Sequence, residues 1–303
     1  MSTVKIALMP ARGVIRVNGP DARKLLQGIA TNDMNKLDGQ AAVHSGILSP
    51  QGKILFDFFV VATHDGVLLE TGKAAVAPLR QRLEMYRLRS KAEISDASAD
   101  FTVTVSWSEP VQPGGGKIDH SEDTFAFADP RHPALGERHL ASLTSNWHKD
   151  LAGTEAATLV DYDAMRIAVG VPEAGSDFEL GDTFPHEALY DQTGSVSFTK
   201  GCYVGQEIVS RVQHRGTARK RVVPVVGTAP LPAGGADITA GDVTIGRLGS
   251  VAGSRGLALL RLDRVAEFQA KGVTPQIGEI SLSVDIPDWV TFSLDQPGTS
   301  AAP

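Results

Sequence analysis

The sequence predicts an α+β fold with a C-terminal antiparallel β-barrel or sandwich. Three observations carry this. Up to residue 95 helical and strand patterns alternate, whereas from Val222 onward only short β-type runs separated by Gly/Pro turns occur. A chain of 303 residues is long enough for two domains. No period of a solenoid array runs through it.

Gly13–Val17 reads as a strand, Asn18-Gly19-Pro20 as a turn and Asp21 as the N-cap of a helix whose apolar stripe is Leu25, Leu26 and Ile29. Ile54–Thr63, rich in aromatic and β-branched residues, is a buried strand that turns at Asp65-Gly66 into Val67–Glu70. Val76, Leu79, Leu83 and Tyr86 have helical spacing, with Pro78 in the first turn and a basic outer face. Glu93–Ser98 and Phe101–Trp107 are the next strands. Pro110, Pro113 and Gly114–Gly116 interrupt the pattern. A short strand, a Pro-rich turn at Asp129–Pro133 and a helix near 148–157 follow. Asp161–Ala168 is helical and stops at Gly170-Val171-Pro172, and Pro172–Gly194 is a long ordered loop. The tail strands are Val222–Val226, Asp242–Ile245, Gly256–Leu262 and Glu279–Val284. Domains are therefore expected at 1–215 and 220–295, with a disordered tail at 296–303.

Composition narrows the function. Lys+Arg 29 against Asp+Glu 35 gives a net charge of −6, so nucleic acid is not expected as a direct partner. One cysteine, Cys202, excludes an internal disulfide, a CxxC redox pair and a four-cysteine metal or cluster site within one chain. No apolar run reaches the 18 residues of a membrane helix; Ile54–Ala62 is far shorter and carries Asp57. With an N-terminus that makes a poor signal peptide, the expectation is a cytoplasmic protein without membrane attachment. Gly114-Gly115-Gly116-Lys117 lacks the upstream glycine of a phosphate loop. His186-Glu187 has Tyr190 where a zincin needs its second histidine, and neither GxGxxG after a strand nor GxSxG occurs. His132, His139 and His148 lack metal-ligand spacing, so no metal is expected.

The informative segment is KGCYVGQEIVSR, Lys200 to Arg211. Val204, Ile208 and Val212 place a helix start near Tyr203. Cys202 would then meet unpaired N–H groups and the helix dipole, which with Lys200 favour a thiolate. The alternative is a small buried hydrophobe, the usual fate of a lone cysteine. Glu207 and Arg211 can form an i,i+4 surface pair, or Glu207 with Gln206 can read a nitrogen-rich ring edge. Arg211, Arg215, Arg219, Lys220 and Arg221 form an acid-free basic run, either a solvated linker or a cradle for a negative tail or for RNA phosphates, the last disfavoured by the net charge of −6.

KGCYVGQE at 200–207 resembles the signature of the YgfZ family of folate-binding proteins, relatives of the aminomethyltransferase of glycine cleavage. Asp21-Ala22, LLQGIATNDM at 25–34, LSPQGKILFD at 48–57, MRIAVGVPE at 165–173 and PHEALYDQ at 185–192 agree in order. The resemblance covers residues 12 to about 262. It implies a multi-module cloverleaf around a central folate channel with a C-terminal barrel. It also implies tetrahydrofolate or a derivative as cofactor, and a role in iron–sulfur cluster assembly or repair that indirectly supports tRNA modification. Iron–sulfur client enzymes or assembly proteins are the implied partners. Carried over by position, Lys200, Gly201, Cys202, Tyr203, Gly205, Gln206 and Glu207 form the motif, with Cys202 as its reactive thiol and Lys200 as the second catalytic candidate. Asn32, Asp33, Asp57, Arg166, Glu187, Tyr203, Gln206, Glu207 and Arg211 are the expected folate contacts.

Two departures separate the chain from the transferases. Phe56 stands where one of two adjacent acids is expected, and Ala168 stands at the pterin-binding glutamate; Glu187 or Asp191 are the available substitutes. Three readings remain: an assembly factor that binds folate, a one-carbon transferase, and a docking module without folate.

Overall fold

In the computed structural model, residues 3–112, 124–144, 153–216 and 218–294 are described. The chain divides into two units. One comprises residues 1–48, 55–162 and 194–204; the other comprises 49–54, 163–193 and 205–303.

The first unit holds two five-stranded sheets. Along the chain these are β1 (Thr3–Leu8), β2 (Arg12–Asn18), β3 (Ala42–Leu48), β4 (Ile54–Ala62), β5 (Gly66–Gly72), β6 (Glu93–Asp96), β7 (Phe101–Glu109), β8 (Thr124–Ala128), β9 (Glu137–Ser142) and β10 (Thr154–Ala156). One sheet has the order β3-β4-β5-β2-β6 and the other β10-β1-β7-β9-β8. Helices α1 (Ala22–Ile29) and α2 (Val76–Arg87) belong to the first sheet. The stripe of Leu25, Leu26 and Ile29 joins Val76, Leu79 and Leu83 of α2 and Ile15, Val17, Phe58, Val60 and Leu69 of the strands in one core. Asp21 precedes α1 as expected, but its carboxylate accepts from Lys91 N at 2.7 Å rather than from the helix.

A buried ion cluster links the two sheets of this unit. Glu70 on β5 accepts from Arg12 Nε at 2.8 Å and from Arg138 Nε of β9 at 2.9 Å. Burial pushes the Glu70 carboxyl up, and the guanidiniums of Arg138 and Arg12 more than reverse that, so it is held below the usual carboxylate range. Arg131 and Arg138 both reach the buried Asp129.

The second unit contains α4 (Gln206–Arg215) and a closed barrel of β11 (Lys220–Gly227), β12 (Asp237–Ala240), β13 (Val243–Ala252), β14 (Arg255–Arg261), β15 (Gln276–Ile277) and β16 (Ile280–Val284), in the order β11-β14-β13-β12-β15-β16. Every paired strand is antiparallel, and closure removes the exposed edges that open sheets carry. Val223, Val225, Ile238, Ile245, Leu248 and Leu260 fill it. Leu262, read as the end of a strand, instead opens α5 (Leu262–Ala270), which buries Leu262 and Val265 in the same core. Helix α3 (Leu159–Val169) stops at Gly170, whose φ of +86° suits glycine and whose missing Cβ leaves room for Pro224 and Pro287. Pro172–Gly194 is a loop of turns, as expected.

The helix expected near 148–157 is not formed at its C-terminal end. Thr154–Ala156 is β10, which pairs in parallel with β1, so the ladder overrides local preference. The rest of that segment's start, the Gly114–Gly116 break and the tail from 295 lie outside the described residues.

Candidate functional site

Two of the sequence-predicted segments meet inside the first unit. Helix α1 ends at Ala30, whose extended backbone turns the chain into Thr31–Asp33. Thr31 Oγ1 donates to Ser195 O at 2.8 Å. Asn32 is saturated: its Nδ2 donates to His44 O and Gly194 O at 2.8 Å each, and its Oδ1 accepts from Lys36 Nζ at 2.9 Å. Asp33 caps the short 3-10 helix Met34–Asp38 by accepting from Asn35 N at 3.0 Å. Asn32 and Asp33 therefore shape this corner through their own backbone and side-chain bonds.

Lys200 docks on the same corner. Its Nζ donates to Ala30 O at 2.7 Å and Asn32 O at 2.8 Å, and lies 5.2 Å from the Tyr203 ring. Burial lowers its pKa from 10.5 to about 8, against the opposing pull of Asp33. Lys36 is lowered for the same reason, again opposed by Asp33. Tyr203 is buried and its hydroxyl is pushed up to about 12; its Oη finds no hydrogen-bond partner among the described residues. An orphaned buried hydroxyl is costly, so it marks a position suited to a polar ligand atom.

Cys202, between these two anchored residues, is exposed. This excludes the buried-hydrophobe reading. It also corrects the helix start: α4 begins at Gln206, and Cys202 lies in an irregular segment outside it. Gly205, with φ of +84°, interrupts the chain before the helix, so the Val204–Ile208–Val212 spacing does not mark one continuous helix. Within α4 it is Val209 that is buried.

Asp57 on β4 is buried, and its Oδ2 lies 3.0 Å from His44 Nε2 on β3. On the other side of the ring, His44 Nδ1 and Ser195 Oγ are 2.7 Å apart. This aligns a carboxylate, an imidazole and a hydroxyl, with the hydroxyl fully buried. Sequence reasoning found Asp57 but missed His44, Ser195 and Lys36. No local spacing relates His44 to a partner 151 residues away.

The other candidates belong to the second unit. Arg166 on α3 is buried and occupied: it donates to Asp177 at 2.6 Å, Val171 O at 2.8 Å, Ser250 Oγ at 2.8 Å and Asp163 at 3.1 Å. These bonds tie α3 to the barrel and leave Arg166 a structural cation. Ala168, at the glutamate position, is exposed. Glu187 accepts from Phe184 N at 2.8 Å, and burial raises its pKa. Glu207 and Arg211 form the exposed i,i+4 pair at 2.6 Å, and Gln206 is the first residue of α4. The basic run does not act as one surface, because Arg221 is buried against Asp191, its Nη1 and Nη2 donating at 2.9 and 3.0 Å. That pair also fixes Asp191, one of the two substitutes for the missing glutamate. A cleft of about 920 Å³ opens in this unit between Gly175–Thr183 and the barrel, and none of the predicted site residues lines it.

Among the described residues no group of three or more His, Cys, Asp or Glu could hold a metal, and no helix is long and apolar enough to cross a membrane.

Residues 219–292 match the model of the CAF17 C-terminal beta-barrel domain. The human mitochondrial iron–sulfur cluster assembly factor IBA57 is 31% identical over 307 residues, spanning 93% of this chain and 84% of that protein. The mitochondrial IBA57 homologue of Mycosarcoma maydis is 36% identical over 252 residues, 76% of this chain. The chain spans 60% of the length of that relative and 56% of the Neurospora crassa one. The glycine cleavage system aminomethyltransferase T of Bartonella henselae superposes with a TM-score of 0.73 at 16% identity, covering 95% of this chain and 87% of that structure. This likeness establishes an aminomethyltransferase-like fold. The relatives' names place them in mitochondria, which overturns the cytoplasmic expectation.

Proposed function

We propose, from the premise that this chain belongs to the family of the IBA57 iron–sulfur cluster assembly factors, that it assists iron–sulfur cluster assembly or repair through the thiol of Cys202. The observation that carries this reading is the exposed Cys202 standing between two buried, anchored residues, Lys200 and Tyr203. An exposed thiol on a fixed segment can reach an iron atom carried by another protein. One thiolate cannot complete a cluster, so the remaining ligands come from an assembly partner or a second copy. Its clients would include the iron–sulfur enzymes that modify tRNA, which it would support without touching RNA.

Tetrahydrofolate is the cofactor we propose beside it. The orphaned Tyr203 hydroxyl offers one hydrogen bond to a pterin or its carboxylate tail, and the buried Asp57, oriented by His44, offers an acceptor for ring N–H groups. Folate would supply a one-carbon carrier there. Arg166 takes no part, because its donors serve α3 and the barrel. Phe56 in place of a second acid disfavours aminomethyl transfer.

Two measurements test this. In cluster transfer from a reconstituted [2Fe–2S] donor, followed by visible circular dichroism, Cys202→Ala should abolish transfer while leaving the far-ultraviolet spectrum unchanged. Full transfer by that variant would refute the thiol reading. Calorimetric titration with tetrahydrofolate should give saturable binding that Tyr203→Phe weakens about tenfold, the loss of one buried hydrogen bond. Absence of binding at millimolar ligand would remove folate and leave the thiol reading standing.

A further inference from the structure

The outer face of α2 departs from the charge of the rest of the chain. The segment from Lys73 to Lys91, both included, holds six basic residues and one acid, Glu84, in a protein of net charge −6. Val76, Leu79 and Leu83 pack inward; Arg80, Gln81, Met85 and Arg87 face solvent. Met85 is 63% exposed and Leu88, the residue that ends the helix, 86%. Leu88 also has a φ of +43° with ψ of −106°, a strained conformation for a branched side chain. Such strain persists only where surrounding structure imposes it, and it clusters at functional positions. Here it ends α2 with a leucine whose side chain stands largely in solvent.

We propose that this face is a docking surface for a protein whose complementary face is acidic around an apolar centre. Exposed Met and Leu flanked by arginines reproduce the composition of an interface core and its rim. Arginine rims steer acidic partners and fix their orientation, and excess positive charge on an otherwise acidic protein makes that steering local. Nucleic acid fits less well: phosphate contacts satisfy arginines but leave Met85 and Leu88 in water. The face lies in one unit and shares no residue with the Lys200–Cys202 site, so it stands independently of that site's role.

The test uses the full chain with a photo-crosslinking residue at Met85, and at exposed Val243 of the barrel as control. The expected result is a protein adduct, specific to Met85, that maps to an acidic segment of an identified partner. With that partner purified, Arg80→Glu/Arg87→Glu should weaken calorimetric affinity at least about tenfold, and Lys at the partner's crosslinked acids should restore it. Leu88→Gly, which relieves the strained backbone, should weaken binding while the melting temperature holds or rises. Adducts shared with Val243, adducts only to nucleic acid or to a second copy, or unchanged affinity in the charge-reversed variant would each overturn the proposal.

Discussion

The Lys200 ammonium donates to the carbonyls of Ala30 and Asn32, residues 170 and 168 positions earlier, and so holds the irregular segment that carries Cys202 against the end of α1. The bond matters because that segment has no ladder or helix of its own to fix it. Position is what the fold supplies to Cys202.

Removing this tie should loosen the segment. Lys200→Met leaves two buried carbonyls without a donor and should cost about 2 kcal/mol in urea unfolding. Burial puts the folded-state pKa at about 8 against an ordinary 10.5, so the unfolded chain binds more protons between those values. The wild type therefore gains stability relative to Lys200→Met as pH rises from 8 to 10.5. A difference independent of pH across that window would contradict the buried-ammonium account.

Arg221 and Asp191 are each about 1% exposed and joined by two hydrogen bonds. Breaking one partner leaves a buried charge, so Arg221→Met should cost about 3–5 kcal/mol. Arg221→Met with Asp191→Leu should recover much of that loss. A loss in the double variant equal to the sum of the two single losses would show that the two groups act separately.

Glu187 titrates the other way from a paired surface carboxylate. Burial raises its folded pKa above the ordinary 4.5, so its contribution is present below 4.5 and lost as pH rises through the raised value. Glu187→Gln keeps the acceptor for Phe184 N and should be more stable than the wild type at neutral pH. The advantage should vanish in acid; thermal melts of both proteins across that range decide it.

Gly205, with φ of +84°, sets where α4 begins. Gly205→Ala should cost about 1 kcal/mol, the strain of a left-handed L-residue. Gly52→Ala should cost more, because its φ is +80° and a Cβ would also lie 2.9 Å from Ile208 Cβ. A larger loss at Gly205 would mean that contacts, and not backbone strain, dominate there.

Much of this architecture is legible from residue order. The strands around Ile15, Phe58 and Val223 follow from alternation and β-branched content, and α1 and α3 from apolar spacing and their terminating residues. Failures occur where local and tertiary preferences compete. Residues 154–156 join β1 because a ladder was available, and Leu262 leaves the strand pattern to start α5. The KGCYVGQE segment stands out in the chain, yet its spacing suggests a helix that Gly205 delays to Gln206.

By itself, then, the sequence determined that the fold is α+β with a C-terminal β-structure, that Cys202 is the one thiol available to any such chemistry, and that Asp57 belongs to a buried strand. Short-range patterns suffice for these, since periodicity and composition depend on neighbours within a few residues. Only the tertiary structure decided which charges are occupied. It consigned Arg166 and Arg221 to buried pairs, set His44 between Asp57 and Ser195, and left Cys202 exposed while Lys200 beside it is buried. Burial and ion pairing are set by residues far apart in the chain, whose separations no local pattern encodes.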